Sequence, residues 1–272
     1  MKRKPFWILT LSFLVTAFTA ISWISVKENH SASSEIIDNS VIQAASISNV
    51  TVSAEEQFEQ HVNGVYTTAD LADSKLDYSV FKKAFIGYLN LKTAGLVSSK
   101  QLLTIVDFNK SSTQKRLWII DLAQQKLLYN TLVAHGQGSG DDKPDKFSNL
   151  PNSHQSSLGF YVTSEIYHGK HGLSMKLDGM DEGFNTNAKE RAVVIHGAEY
   201  VSQEFVNQRG RLGRSHGCPA LPVELTSKII ENIKGKTCLF IAGPVEEYNS
   251  KYSDQNIAIN GFLASTTSIA TL

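Results

Sequence analysis

Residues 102–134 read LLTIVDFNKSSTQKRLWIIDLAQQKLLYNTLVA. Three short apolar or alternating runs, LLTIVDF, RLWIIDL and KLLYNTLVA, are separated by polar connections, the texture of strands joined by turns. DLAQQK, between the second run and the third, reads as a hairpin connection. Further along the chain the same texture returns in LGFYVTSEIY, SMKLD, RAVVIHGA and TCLFIAG. One helix interrupts the series: residues 223–234 (VELTSKIIENIK) place Leu225, Ile229, Ile230 and Ile233 on one face, and Gly235 follows. Upstream, Phe81, Phe85, Tyr88 and Leu89 recur at helical spacing, with Gly95 as the stop. Ser53 and Glu56 fit a capping box that opens a short helix running to about Gly64. The fold class expected is mainly β with a few helices (α+β), with the body at roughly 76–246.

The 272 residues are enough for one substantial core and an appendage or two. Charge is balanced, 26 basic against 26 acidic residues, and no long basic run occurs, so no nucleic-acid partner is implied. The N-terminus is distinct. Met1-Lys2-Arg3-Lys4 precedes a stretch of 21 uncharged residues, Phe6 to Val26, which reads as an export signal. The stretch is also long enough to span a bilayer, so residues 1–26 are a signal peptide or a signal-anchor, and both readings place the body outside the cytoplasm. No cysteine lies near the small residues Ala17, Ala20 and Ala32, which argues against a lipid anchor. Residues 27–75 read as a flexible linker with a short helix, and the Ser/Thr-rich residues 247–272 as a C-terminal tail.

Chemistry concentrates in residues 213–222, GRSHGCPALP. Cys218 sits in a tight turn, two residues after His216, and is open to three readings: nucleophile, metal ligand or disulfide partner. Gly217 lets the backbone turn sharply, so that neighbouring amides can converge on an oxyanion. Pro219 stiffens the exit. A nucleophilic thiol needs a base or a cation beside it. His196 ends the run RAVVIHGA, 22 residues upstream, where a rigid strand can aim an imidazole into a cleft. The carbonyl of Gly197 is placed to fix its tautomer.

The rivals are weaker. His168, His171, His196, His216 and Cys218 could supply zinc ligands, but neither CxxC nor HExxH occurs. The second cysteine, Cys238, lies inside TCLFIAG, where a thiol serves as a small hydrophobe rather than a disulfide partner for Cys218. HGQGSG at 135–140 lacks the Lys-Ser/Thr pair of a phosphate-binding loop and reads as a glycine-rich turn near the site. No cofactor and no metal are implied.

His196-Gly197 followed by Ser215-His216-Gly217-Cys218 resembles the signature of the L,D-transpeptidases, the YkuD-like enzymes that cross-link peptidoglycan. LVAHGQGSG, FSNLPNSHQSSLGFY, YHGKHGLSMKLDGMDEGFN, RAVVIHGAEYV and GRLGRSHGCPALP together resemble the murein L,D-transpeptidase catalytic domain branch, over about residues 80–245. The resemblance implies a β-rich catalytic domain that works on peptidoglycan stem peptides. Cys218 would be acylated by a tetrapeptide with release of D-alanine, and an amine would then take the acyl group in a 3–3 cross-link. His196 matches the family's base, the Gly197 carbonyl orients it, and His216, Gly217 and Cys218 form the oxyanion turn. Arg214 and Ser215 match flanking positions that bind substrate or order the loop. Tyr167 and His171 belong to a segment, Tyr167–Asn185, that reads as a substrate-facing wall or as a solvated loop. This chain has Pro219-Ala220 where common members carry Asn or Arg two residues after the cysteine, so substrate rules transfer less well than chemistry. Two alternatives stay open: a thiol L,D-carboxypeptidase acting with water, and a cell-wall binding module without turnover.

Overall fold

The computed structural model describes residues 52–270, so the N-terminal segment read as signal or anchor, and the linker up to residue 51, lie outside the described residues. All seven runs form strands; LLTIVD, LWIID and CLFIA are buried almost throughout because both faces of the sheet are covered there. The strands are β1 (Leu102–Asp107), β2 (Leu117–Asp121), β3 (Lys126–Thr131), β4 (Gly159–Gly169), β5 (Gly172–Gly179), β6 (Val194–Gly197), a two-residue β7 (Ala220–Leu221) and β8 (Cys238–Ala242). They form one sheet in the order β3-β2-β1-β8-β4-β5-β6-β7. The β1–β8 and β6–β7 pairs are parallel and the others antiparallel. The chain leaving β3, at one edge, bridges the far edge through Ala134–Ala220 and Gly136–Ser215, so the sheet curls back on itself.

Alternation along the strands divides two cores. Leu103 and Ile105, Trp118 and Ile120, and Cys238 and Phe240 face a helical layer of α1 (Ala54–Thr68), α2 (Tyr78–Thr93) and α5 (Gln255–Ala270). Val106, Leu117, Ile119, Leu239 and Ile241 face the other way, with Tyr161, Met175, Leu177 and Ile195. There α4 (Val223–Ile233), which follows the short α3 (Gln203–Arg209), inserts Ile229, Ile230 and Ile233. Each fully buried Leu or Ile contributes about 1.5–3 kcal/mol by leaving water, so both layers are needed.

The capping box at Ser53 and Glu56 is present, but α1 runs on to Thr68 and buries Phe58, Val62 and Val65. The loop after it buries Leu71 and Leu76, and the Trp118 indole N–H donates to Ser74 Oγ at 2.9 Å. Residues 54–76 are thus part of the core, where the sequence suggested linker. Likewise the stretch read as a tail carries α5, whose Ala258 and Ile259 are buried against the helical layer. Asn90 of α2 holds its approach by donating to the carbonyls of Tyr252 and Asp254, both at 2.8 Å. Among the described residues no helix is long and apolar enough to cross a membrane.

Candidate active site

β6 runs between β5 and β7, with His196 opposite Ser174 on one side and Ala220 on the other. Cys218 lies two residues before Ala220, so strand pairing brings the histidine and the thiol to one end of the sheet. Both line a cavity of about 520 Å³, together with Tyr167, Lys170, His171, Arg191, Tyr200 and Arg214. Neither cysteine is in a disulfide. Cys238 is fully buried in β8, while Cys218 is partly exposed to the cavity.

Glycine is required at 217 by geometry. Its φ is 119°, and a Cβ there would lie 2.7 Å from the Gln155 carbonyl oxygen. Gly136, in the glycine-rich turn, packs against it: a Cβ on Gly136 would stand 2.8 Å from Gly217 Cα. Ser215 ties the turn together. Its hydroxyl donates to the Cys218 carbonyl at 2.6 Å and accepts from the Gly217 N–H at 3.0 Å. The N–H groups of His216 and Cys218 donate to no group among the described residues. The thiol itself donates to the Ala192 carbonyl at 3.7 Å, and its sulfur accepts from the Val194 N–H at 3.5 Å.

His196 is buried, and its Nδ1 lies 2.9 Å from the Gly197 carbonyl, which fixes the tautomer with the proton on Nδ1 and leaves Nε2 as the acceptor. Its ring stacks on His171, with centroids 4.5 Å apart. Burial holds this imidazole below its ordinary pKa; the Gly197 carbonyl opposes that, and His171 and Lys170 add to it. Burial pushes the Cys218 thiol above its ordinary value, against the pull of the Val194 N–H, Arg191 and Lys170. Both groups are therefore biased to their neutral forms.

The remaining sequence candidates fall into place unequally. Tyr167 and His171 sit on the β4–β5 hairpin and line the cavity, whereas Asp181 and Asn185, later in the same segment, turn inward. Asn185 donates to the Leu158 and Phe160 carbonyls and Asp181 accepts from the Phe160 N–H, so that end is scaffold. Arg214 lines the cavity while bonding the Gly140 carbonyl at 2.7 Å and pairing with Asp141 at 3.2 Å. The exposed His216 ring stacks on His154 at 4.2 Å. Ser215 is buried and orders the turn. Among the described residues no group of three His, Cys, Asp or Glu side chains could hold a metal ion.

Sequence reasoning passed over Arg191 and the Arg116–His135 pair. Arg191 holds the loop 148–157 against the Gly217 turn. Arg116 and His135 are both fully buried; Arg116 donates to His135 Nδ1 at 2.8 Å, and the His135 carbonyl accepts from the Ser215 N–H. Burial, then Arg116, pull the His135 pKa down to about 4. Arg191 had no sequence signal because its partners lie 34 to 43 residues away, and the Arg116–His135 contact depends on how the ends of the β2–β3 hairpin pack.

A cysteine and a tautomer-fixed histidine line one cavity, beside a glycine turn with unclaimed amides, which are the groups that thiol acyl transfer requires. Residues 72–242 match the L,D-transpeptidase catalytic domain, and the chain belongs to that family. No curated protein matches the sequence. Solved structures similar to it include an L,D-transpeptidase from Mycobacterium smegmatis, at 12% identity over 53% of this chain and 59% of that one, with a TM-score of 0.33. An Enterococcus faecium L,D-transpeptidase is 13% identical over 53% of this chain and 50% of that one, with a TM-score of 0.32. The helical cell shape determining protein Pgp2 of Campylobacter jejuni is 14% identical over 66% of this chain and 63% of that one, with a TM-score of 0.35. The chain spans about half to three-fifths of the length of these Mycobacterium and Enterococcus L,D-transpeptidase structures.

Proposed function

We propose that this protein is an exported peptidoglycan L,D-transpeptidase with Cys218 as nucleophile and His196 as its base. The observation that carries the reading is that Cys218 and His196 line one cavity in a chain of the L,D-transpeptidase catalytic domain family. The neutral bias of both groups favours proton transfer in step with attack over a standing ion pair.

Cys218 Sγ attacks the carbonyl carbon of the third stem residue while His196 Nε2 takes the thiol proton. The developing oxyanion is met by the amides of His216 and Cys218. The Gly217 N–H is engaged with Ser215, so Gly217 contributes the bend and not a donor. Collapse breaks the C–N bond, and the imidazolium gives its proton to the departing D-alanine amine. The acceptor amine then attacks the thioester, loses a proton to His196, and the C–S bond breaks to restore the thiol. Lys170 and Arg214, with Tyr167 and His171, border the entry, and no carboxylate among the described residues lines the cavity, which suits the acidic groups of a stem peptide. Export rests on the apolar N-terminal segment and on peptidoglycan being outside the cytoplasm.

The test is mass spectrometry of products from a defined tetrapeptide stem, with and without an amine acceptor. Wild type is expected to release D-alanine and form cross-linked product, and Cys218→Ala to do neither while melting at the wild-type temperature. Full turnover by Cys218→Ala would sink the reading, and hydrolysis without cross-linking in the presence of acceptor would replace it with a carboxypeptidase. A covalent carbapenem adduct on Cys218 would separate a reactive site from a binding module.

A further inference from the structure

We propose that Arg191 is a positioning residue for Cys218: its guanidinium locks the 148–157 loop against the Gly217 turn and sets a fixed positive charge beside the sulfur. The clamp is a fork. Nη1 donates to the Ser148 carbonyl at 2.6 Å and to Ser157 Oγ at 3.1 Å; Nη2 donates to the Gln155 carbonyl at 2.6 Å and to Ser153 Oγ at 3.2 Å. A Cβ built on Gly217 would stand 2.7 Å from the Gln155 carbonyl oxygen and 3.3 Å from Arg191 Nη2. The guanidinium and the carbonyl it holds therefore form the surface on which the turn rests. The sulfur hydrogen-bonds to Ala192 and Val194, one and three residues after Arg191, and Arg191 lines the same cavity.

All four of these partners are neutral oxygens, and no carboxylate among the described residues pairs with Arg191. Its charge is thus not cancelled locally. Arg214, by contrast, is paired with Asp141, and Lys170 is exposed at the hairpin. A half-buried, unpaired and permanently protonated guanidinium acts on a nearby thiolate more strongly than a solvated cation does. Burial raises the thiol pKa and Arg191 opposes it, which agrees with this placement. Other titratable or charged groups also line the cavity that holds the sulfur. These are His196 on β6, Tyr167, Lys170 and His171 on the hairpin, Tyr200 after β6, and Arg214 and His216 on the turn's own loop. The test therefore changes Arg191 alone.

The proposal rests on the reading of Cys218 as nucleophile, but its readout is independent of turnover. The rate of Cys218 alkylation by the uncharged reagent iodoacetamide is followed against pH by peptide mass spectrometry in the full chain. Arg191→Met is expected to raise the midpoint by about one unit or more, roughly tenfold slower labelling near neutrality. Arg191→Lys, which keeps charge but not the fork, is expected to stay near the wild-type midpoint with a lowered melting temperature. Ser153→Ala combined with Ser157→Ala, which loosens the clamp and removes no charge, is expected to leave the midpoint in place. A wild-type midpoint in Arg191→Met, or a shift in Arg191→Lys as large as in Arg191→Met, overturns the proposal. Should Arg191→Met not fold, the lysine variant decides: an unmoved midpoint supports the fixed charge, and a raised one overturns it.

Discussion

Cys218 and Cys238 carry the same thiol in two differently built regions. Cys238 stands in β8, fully buried beside Leu103 in the core under the helical layer, and burial, with Asp181 adding to it, drives its pKa far above the ordinary thiol range. Cys218 stands in a loop held by hydrogen bonds, where burial also raises the thiol but an amide, a guanidinium and an ammonium act against it. Burial alone makes a thiol inert; burial with placed donors and cations makes one that can be switched by a base. The apolar region specifies shape, and the polar region surrounds its thiol with the groups that the proposed reactivity needs.

The sharpest way to break this contrast is to remove the proposed base, His196. His196→Ala is expected to lower kcat by roughly 10²–10⁴-fold with little loss of stability, and steady-state kinetics on the tetrapeptide checks it. Activity should also fall on acidification only below the ordinary histidine pKa, because burial holds the imidazole neutral to lower pH. Next comes the turn. Gly217→Ala forces a side chain into φ 119° and into the Gln155 carbonyl, and is expected to cost about 1–3 kcal/mol by denaturant melt. The displaced amides should cost roughly tenfold or more in rate.

A third prediction addresses the polar region's acid sensitivity. His135 is buried beside Arg116 with its pKa pulled down to about 4, so between about 6.5 and 4 the unfolded chain binds a proton that the folded one does not. Stability is then full above the unfolded value and is lost as pH falls, on the order of 1–3 kcal/mol by pH 4. Melting temperature against pH should show this slope, and His135→Gln should flatten it. The smallest effect is in the apolar region. Cys238→Ala leaves only a small gap and is expected to cost about 1 kcal/mol with full activity, so a large rate loss there would undo the division between the regions.

The strands were legible because LLTIVDF, RLWIIDL and their successors bury alternating side chains on two covered faces, a pattern set by local periodicity. The two-residue β7 was not, since no period fits in Ala220–Leu221. Helix α5 was hidden in QNIAINGFLASTTSIA, whose Ser and Thr content masks the few residues that touch α1 and α2. At the site, Cys218, His196 and the Gly217 bend were visible from spacing and turn chemistry. Ser215 was visible as a flanking residue, but its work on the turn appeared only with its hydrogen bonds.

By itself the sequence determined the strand series, the candidate thiol and imidazole, and the glycine that lets the backbone turn, because each follows from local patterning or from the limits of φ and ψ. Only the tertiary structure decided which groups surround the thiol. Arg191 meets a loop 34 to 43 residues away, Arg116 meets His135 beyond the paired ends of β2 and β3, and residues 54–76 join the core instead of a linker. Such contacts depend on which segments the sheet order makes neighbours, and pairing between distant segments leaves no period in the chain to read.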